Sequence, residues 1–134
     1  MIWLVKSEPD EYGWDDLVRD GVGCWDGVRN VEARNNLRTM AVGELVLFYH
    51  SGKPRAIVGI AEVVRSAYPD PSTNRPLWSA VDLKPVRALK NPVSLGTLKS
   101  LPEFRDCALV RRARLSVMTI EKVYFDRIIE LSES

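Results

Sequence analysis

Leu45-Val46-Leu47-Phe48-Tyr49-His50 is the stretch that decides the fold, because this apolar and aromatic run is typical of a β-strand. A turn over Ser51–Pro54 follows it, and a long, largely apolar strand is predicted over Ala56–Ser66. The run Ile57–Val64 contains few polar residues, which indicates a strand buried on both faces. Because side chains alternate along a strand, we expect Tyr49 to face away from Phe48 and His50.

Further strands and helices are predicted on both sides of this stretch. On the amino-terminal side they are a strand over Met1–Lys6, a helix over Tyr12–Asp20, a glycine-rich loop over residues 21–29 and a helix over Asn30–Met40. On the carboxyl-terminal side they are a proline-rich loop over Tyr68–Pro76, a strand over Trp78–Leu83, a short helix over Ser94–Ser100 capped by Ser94, a strand over Leu115–Ile120 and a helix over Glu121–Leu131. This order predicts an α+β fold, with a small curled sheet or open barrel and peripheral helices.

Length and composition favour a single domain over residues 1–134. Hydrophobic residues make up 46% of the chain and charged residues 28%, which is ordinary for a globular protein. The apolar stretches are too short to span a membrane, and no basic segment precedes the first strand, so we expect a cytoplasmic protein. The net charge of +1 argues against a protein that coats DNA without specificity.

The sequence carries no convincing catalytic or cofactor-binding motif. A zinc-dependent base deaminase needs His-x-Glu and Cys-x-x-Cys motifs, and neither is present. Gly21 and Gly23 are not followed by the third glycine of a dinucleotide-binding loop. With one histidine and two distant cysteines, Cys24 and Cys107, we expect no metal and no cofactor. A nucleophile pair of Cys24 and His50 is an enzyme hypothesis that stays open.

Binding features are clearer, and they centre on the hexapeptide Trp25-Asp26-Gly27-Val28-Arg29-Asn30. Trp25 offers a flat ring on which a base can stack, and a plain core position is the competing interpretation. Arg29 and Asn30 carry the charge and the amide that read phosphates and base edges. Lys6 and Ser7 place a cation and a hydroxyl at the end of the first strand. We therefore expect a protein that holds a nucleobase rather than one that breaks bonds.

Several segments, in order across nearly the whole chain, resemble the EVE domain of the PUA-like superfamily. They are Trp3-Leu4-Val5-Lys6-Ser7-Glu8-Pro9, Trp25-Asp26-Gly27-Val28-Arg29-Asn30, Ala33-Arg34-Asn35, Gly43–Ser51, Gly59–Val63 and Arg114-Leu115-Ser116-Val117-Met118. Each motif is weak alone, but the ordered set is specific. The chain departs from the family pattern at Gly13, Val31 and Thr119, where serine, tyrosine and proline are common.

The resemblance implies a PUA-like open β-barrel of about five to six mostly antiparallel strands. It also implies a non-catalytic domain that flips a modified base into an aromatic pocket, with 5-methylcytosine in DNA as the favoured target. YTH domains, which hold N6-methyladenine, are similar in layout. The residues implied to line this pocket or its mouth are Lys6, Ser7, Trp25, Arg29, Asn30, Tyr49, His50, Leu115 and Ser116.

Basic residues around the pocket are candidates for phosphate contacts. They are Arg34, Arg38, Lys53, Arg55, Arg111, Arg112 and Arg114. The expected partner is a nucleic acid with a modified base, DNA in preference to RNA, bound by a monomer without a membrane or a metal. An RNA-binding or RNA-processing protein, with His50 as its general base in the enzymatic version, is one alternative hypothesis, and a small nucleotide or nucleoside sensor is another.

Overall fold

In the computed structural model, which describes residues 1–134, six strands form one open sheet. They are β1 (Ile2–Ser7), β2 (Gly23–Trp25), β3 (Leu45–His50), β4 (Ala56–Pro69), β5 (Ser79–Ser94) and β6 (Val117–Ile120). Their order across the sheet is β2-β5-β4-β3-β1-β6. Only β1 and β3 pair in parallel, and every other pair is antiparallel. The predicted α+β fold with an open, mostly antiparallel sheet is confirmed.

Six helices surround this sheet. They are α1 (Pro9–Tyr12), α2 (Trp14–Asp20), α3 (Val31–Thr39), α4 (Leu95–Ser100), α5 (Ala108–Arg111) and α6 (Lys122–Glu133), with a 3₁₀ turn at Pro102–Phe104. Side chains cap two of them: Ser94 accepts a hydrogen bond from the N–H of Thr97, as predicted from the sequence, and Asn30 accepts one from the N–H of Ala33. None of these helices is long and apolar enough to cross a membrane.

Three predicted elements differ most from the structure. The helix expected over Tyr12–Asp20 is interrupted by extended backbone at Gly13, which separates α1 from α2. The loop expected over residues 21–29 contains β2, because Gly23–Trp25 pairs with β5. The strand expected over Trp78–Leu83 continues to Ser94, since β4 pairs along it through several register shifts that accommodate its prolines.

Phe48 lies at the centre of the core on one face of the sheet. Its ring contacts the edges of Trp14 and Trp25, with centroid distances of 5.5 and 5.4 Å. The indole of Trp14 also covers Gly59, where an added Cβ would lie 2.5 Å from the ring. Gly59 is therefore required for the close approach of Trp14 to β4. This packing supports α2 and β2 on the same face and positions Trp25 at the edge of the core.

Candidate functional site

A cavity of about 670 Å³ opens beside Trp25, at the carboxyl-terminal end of β1. Its lining comes from β1, α1, β2, the loop that leads to α3 and the loop before β6: Lys6, Ser7, Glu11, Tyr12, Cys24, Trp25, Asp26, Gly27, Val28, Arg29, Asn30 and Ser116. We call it the Trp25 pocket. Six of the residues proposed from the sequence meet here, namely Lys6, Ser7, Trp25, Arg29, Asn30 and Ser116. Their roles in binding stay a prediction.

Trp25 belongs both to the core and to the pocket. Only 6% of its surface is exposed, and its ring meets Phe48 and Tyr12 edge to face, at 5.4 and 6.1 Å between centroids. The two interpretations of Trp25 drawn from the sequence therefore combine, because a rigid core ring also supplies a wall of the cavity. A ring held in this way can stack on a ligand with little loss of side-chain entropy.

Two polar side chains in the pocket each have a hydrogen-bonding group that no protein atom occupies. The Ser7 hydroxyl donates its proton to the carbonyl of Tyr12 at 2.7 Å, which leaves its oxygen free to accept. Asn30 Oδ1 accepts the N–H of Ala33 at 2.8 Å, which leaves its NH₂ group free to donate. The pocket can thus present one acceptor and one donor to a bound ring from groups whose orientation is already fixed.

Arg29 is held in place by the buried carboxylate of Asp70, which the sequence did not single out. Asp70 accepts hydrogen bonds from Arg29 Nη1 at 2.9 Å, from the N–H of Gly27 at 2.9 Å and from the N–H and hydroxyl of Ser72. Burial alone would raise the pKa of Asp70, but these hydrogen bonds outweigh it and lower that pKa to about 2. The ionised carboxylate therefore fastens the pocket loop to the β4–β5 loop.

Lys6 lies at the rim of the Trp25 pocket. Its Nζ donates hydrogen bonds to the carbonyls of Arg112 and Ala113, at 3.2 and 3.1 Å. Burial lowers the pKa of Lys6. The ammonium group is therefore fixed between the pocket and the segment that precedes β6.

An adjoining cavity of about 270 Å³ is lined by Asn30 and by residues 111–115. Leu115, which the sequence suggested for the base pocket, lies here instead, because its segment runs past the other side of Asn30. Arg112 forms a two-bond ion pair with Glu32, at 2.6 and 3.1 Å, and Arg111 pairs with Asp106 at 3.1 Å. Arg114 makes no ion pair, so its guanidinium is the free cation of this cavity.

The structure places Tyr49 and His50, which were predicted to line the base pocket or its mouth, outside the lining of the Trp25 pocket. Tyr49 points to the opposite face of β3 from Phe48, as strand alternation requires, and lines a separate cavity with Lys6. His50 lies under the start of α2, where Nε2 accepts the N–H of Trp14 at 3.0 Å. Burial lowers the pKa of His50, which favours the neutral ring that can accept this bond.

The basic residues proposed for phosphate contacts divide into two groups. Arg34 is only 8% exposed, and Arg34 and Arg38 both donate to the carbonyl of Leu77, so they hold the β4–β5 loop against α3. For Arg34 this burial contradicts the predicted role. The remaining members of the set lie on the surface, and their contacts with phosphate stay a prediction: Lys53, Arg55, Arg111, Arg112 and Arg114.

Cys24 lines the pocket without the features of a nucleophile. Burial raises the pKa of its thiol, and its sulfur lies 3.1 Å from the hydroxyl of Tyr68, which also hydrogen-bonds Asp82. His50 does not line this pocket, and its Nε2 is already occupied by Trp14. No group of three His, Cys, Asp or Glu side chains gathers where it could hold a metal ion.

Some residues that line the Trp25 pocket were not predicted from the sequence, and only part of them had a local sequence signal. Asp26, Gly27 and Val28 lie inside the hexapeptide that the sequence had already emphasised. Glu11 and Tyr12 reach the pocket because the break at Gly13 turns α1 towards β2. The helix predicted over Tyr12–Asp20 ran through this break, so these two lining residues were not found from the sequence.

The chain is similar to known proteins over nearly its full length. The family model described as the EVE domain matches residues 1–131. Human thymocyte nuclear protein 1 is 35% identical over 98% of this chain and 73% of its own length. The structure of the human THYN1 protein in complex with DNA containing 5-methylcytosine has a TM-score of 0.89 to this chain at 35% identity, over 99% of this chain and 98% of that one.

Bacterial and more distant structures share the same architecture. A protein from Agrobacterium tumefaciens, also 35% identical, has a TM-score of 0.95 over 98% of this chain and 92% of that one. The YTH domain of Zygosaccharomyces rouxii MRB1 protein, solved with N6-methyladenosine RNA, shares the fold alone: its TM-score is 0.60 at 16% identity, over 98% of this chain and 85% of that one. The match across almost every element described above shows that this chain belongs to the EVE domain family.

Proposed function

We propose that this chain binds nucleic acid and recognises a modified base, of the 5-methylcytosine type in DNA, extruded into the Trp25 pocket. The observation that carries the proposal is the pocket itself, in which a rigid indole and fixed polar groups surround about 670 Å³. A relative 35% identical over the same fold was solved with DNA containing 5-methylcytosine, which supports this choice of ligand. The base is flipped from its stack before it enters the pocket.

The charge of the pocket lining suits an uncharged ring. Lys6 and Arg29 are balanced by Glu11 and Asp26, so the lining carries no net charge at neutral pH. The free oxygen of Ser7 accepts the exocyclic amino group of cytosine, while the NH₂ group of Asn30 donates to a ring nitrogen or carbonyl oxygen. The hydrogen bonds and the charge balance thus favour a base over a phosphate at this position.

The expected preference for the methylated base is modest. Stacking of one base on an aromatic side chain contributes about 1–3 kcal/mol, which offsets the few kcal/mol lost when the base leaves its own stack. One buried methyl group adds about 0.8 kcal/mol, which corresponds to an affinity ratio of about fourfold. Affinity is therefore shared between stacking and phosphate contacts, to which unpaired surface cations such as Arg114 and Lys53 can add.

Binding without catalysis is part of the proposal. A neutral His50 that accepts the N–H of Trp14 at Nε2 carries its own proton on Nδ1, so it has no free lone pair to act as a general base. The thiol of Cys24 is kept protonated by its raised pKa. The monomeric state and the cytoplasmic location expected from the sequence stay predictions.

The test is fluorescence anisotropy of labelled oligonucleotides of one sequence, with cytosine or 5-methylcytosine, as single- and double-stranded DNA and as RNA. We expect the methylated DNA to bind about fourfold more tightly than its unmethylated match. Trp25→Phe should weaken binding to both DNAs, because a smaller ring stacks less well. Trp3→Phe is the matched control, since Trp3 is a buried tryptophan outside the pocket. Equal affinity for methylated and unmethylated strands, or equal effects of the two substitutions, contradicts the proposal, and a preference for RNA assigns the pocket to an RNA base.

A further inference from the structure

A second cavity, of about 330 Å³, lies on the far side of Lys6 from the Trp25 pocket. It is lined by residues from β1, β3, the β3–β4 turn, α4, α5 and the segment before β6: Lys6, Glu8, Tyr49, Ser51, Arg55, Leu95, Lys99, Leu109 and Ala113. We call it the Tyr49 cavity. Because Lys6 lines both cavities, the Trp25 pocket and the Tyr49 cavity adjoin each other at this side chain.

The Tyr49 cavity carries a positive charge, in contrast to the balanced Trp25 pocket. Three cations, Lys6, Arg55 and Lys99, face one carboxylate, Glu8. Lys99 makes no ion pair or hydrogen bond, and Arg55 uses only Nε, which donates to the carbonyl of Ser51 at 3.3 Å. The two terminal nitrogens of Arg55 and the ammonium of Lys99 are therefore free to bind an anion.

Tyr49 supplies an independent sign that a polar ligand belongs there. The residue is only 3% exposed, yet its hydroxyl has no hydrogen-bond partner within the protein. Ser132 Oγ is the one side-chain polar atom that is both fully buried and unpaired, so the Tyr49 hydroxyl retains a small opening to the cavity. A hydroxyl this buried is normally paired, and a ligand in the cavity would supply the missing acceptor. Lys6 Nζ lies 5.7 Å from the centre of the Tyr49 ring, so this cation adjoins the phenol.

We propose that the Tyr49 cavity binds a phosphate group, supplied by the strand whose base occupies the Trp25 pocket. The proposal rests on the proposed function for the source of the phosphate, but not for the chemistry of the cavity. Phosphate oxygens only accept hydrogen bonds, and the free groups here, on Tyr49, Arg55 and Lys99, all donate. The strand would bend around Lys6, with its base on one side and a neighbouring phosphodiester on the other.

Two variants test the cavity without removing its packing. Tyr49→Phe deletes one unpaired oxygen, and Lys99→Gln removes an exposed charge, so both should fold as the wild type does. Lys90→Gln is the matched control, because Lys90 is exposed, unpaired and outside every cavity described. We expect each cavity variant to weaken binding of a 5-methylcytosine oligonucleotide roughly tenfold, as loss of a hydrogen bond to a charged group does. Lys99→Gln should also reduce the salt dependence of log Kd by about 0.7–0.9 per decade of salt.

Two arms identify the source of the phosphate. In the first, each phosphodiester beside the methylated base is replaced in turn by an uncharged methylphosphonate. If the strand supplies the phosphate, the wild type and Tyr49→Phe should bind one of these methylphosphonate oligonucleotides with equal affinity. In the second, inorganic phosphate is titrated by calorimetry against wild type and Tyr49→Phe. Binding by the wild type alone, with no effect of Tyr49→Phe on the oligonucleotide, assigns the cavity to free phosphate.

The proposal is overturned if Tyr49→Phe and Lys99→Gln bind the 5-methylcytosine oligonucleotide as tightly as Lys90→Gln does, and Tyr49→Phe binds inorganic phosphate as the wild type does. That failure is distinct from failure of the proposed function, which is measured by the ratio of affinities for methylated and unmethylated strands. Lys99→Gln should keep this ratio while it loses affinity for both strands equally. If the wild type shows no preference for the methylated strand but Tyr49→Phe still weakens phosphate binding, the phosphate assignment of the Tyr49 cavity holds. The base assignment of the Trp25 pocket then fails.

Discussion

Replacement of Asp70 by asparagine is expected to destabilise the protein and to loosen one wall of the Trp25 pocket. The Asp70 side chain is fully buried, and its carboxylate accepts hydrogen bonds from Gly27, Arg29 and Ser72. Asparagine has nearly the same shape, but it offers one accepting oxygen and places an NH₂ group against other donors. Buried donors of the pocket loop would therefore lose their partners.

The pKa of Asp70 sets the size of this effect. It is lowered from 3.8 to about 2, and one pKa unit corresponds to about 1.4 kcal/mol, so the ionised carboxylate contributes about 2 kcal/mol to folding near neutral pH. Because the folded pKa lies below the unfolded pKa, this contribution is present above the unfolded value of 3.8. It is lost as the pH falls from there through the folded value of about 2.

Urea unfolding of the wild type and of Asp70→Asn, from pH 7 down to pH 2.5, measures this contribution. We expect the variant to be less stable by about 2 kcal/mol at pH 7 and the gap to narrow below pH 4. Asp126→Asn is the control, because Asp126 is an exposed partner of Lys122 and should matter by less than about 1 kcal/mol. A gap that stays constant across this pH range, or a variant as stable as the wild type at pH 7, would refute the reasoning.

Three further substitutions test the packing around the pocket, each by urea or thermal unfolding. Trp25→Ala should cost about 3–5 kcal/mol, because the ring is 6% exposed and belongs to the core; an unchanged stability would make Trp25 a pocket residue only. His50→Ala should cost about 1–3 kcal/mol by leaving the N–H of Trp14 unpaired. Since burial lowers the pKa of His50 below 6.5, its contribution is present above pH 6.5 and should shrink as the pH falls from there, whereas a cost independent of pH would contradict the assigned bond. Gly59→Ala should cost about 1–3 kcal/mol through a clash with Trp14, whereas Gly96→Ala, with no neighbour closer than 3.9 Å, should be tolerated.

Much of the fold could be predicted from short stretches of sequence, because local patterns determine strands and caps. The apolar runs of β3 and β4, the cap of α3 at Asn30 and the cap of α4 at Ser94 all follow from residues within one element. The length of β5 could not be predicted in this way. Pro85 and Pro92 argue against a strand locally, but pairing with β4 through register shifts keeps them in the sheet.

The candidate site was predicted best where its residues are contiguous. Trp25, Arg29 and Asn30 come from one hexapeptide, and all three line the pocket. Asp70 was missed because it lies in a separate loop, and nothing near it in the sequence marks it as the partner of Gly27 and Arg29. A contact of that kind depends on tertiary structure and not on local pattern.

The position of both cavities follows from the one parallel pair in the sheet. Parallel pairing brings the carboxyl-terminal ends of β1 and β3 to the same edge, in a register that sets Lys6 beside Tyr49 and Ser7 beside His50. Alternation along the strand then sends Phe48 towards Trp25, which lines one cavity, and Tyr49 towards the opposite face, where it lines the other. Lys6 is long enough to reach both faces from the end of its strand, and its hydrogen bonds to Arg112 and Ala113 hold it between them. The two cavities that share Lys6 are therefore a consequence of this pairing. No local sequence pattern reveals it, because three helices and β2 separate the paired strands.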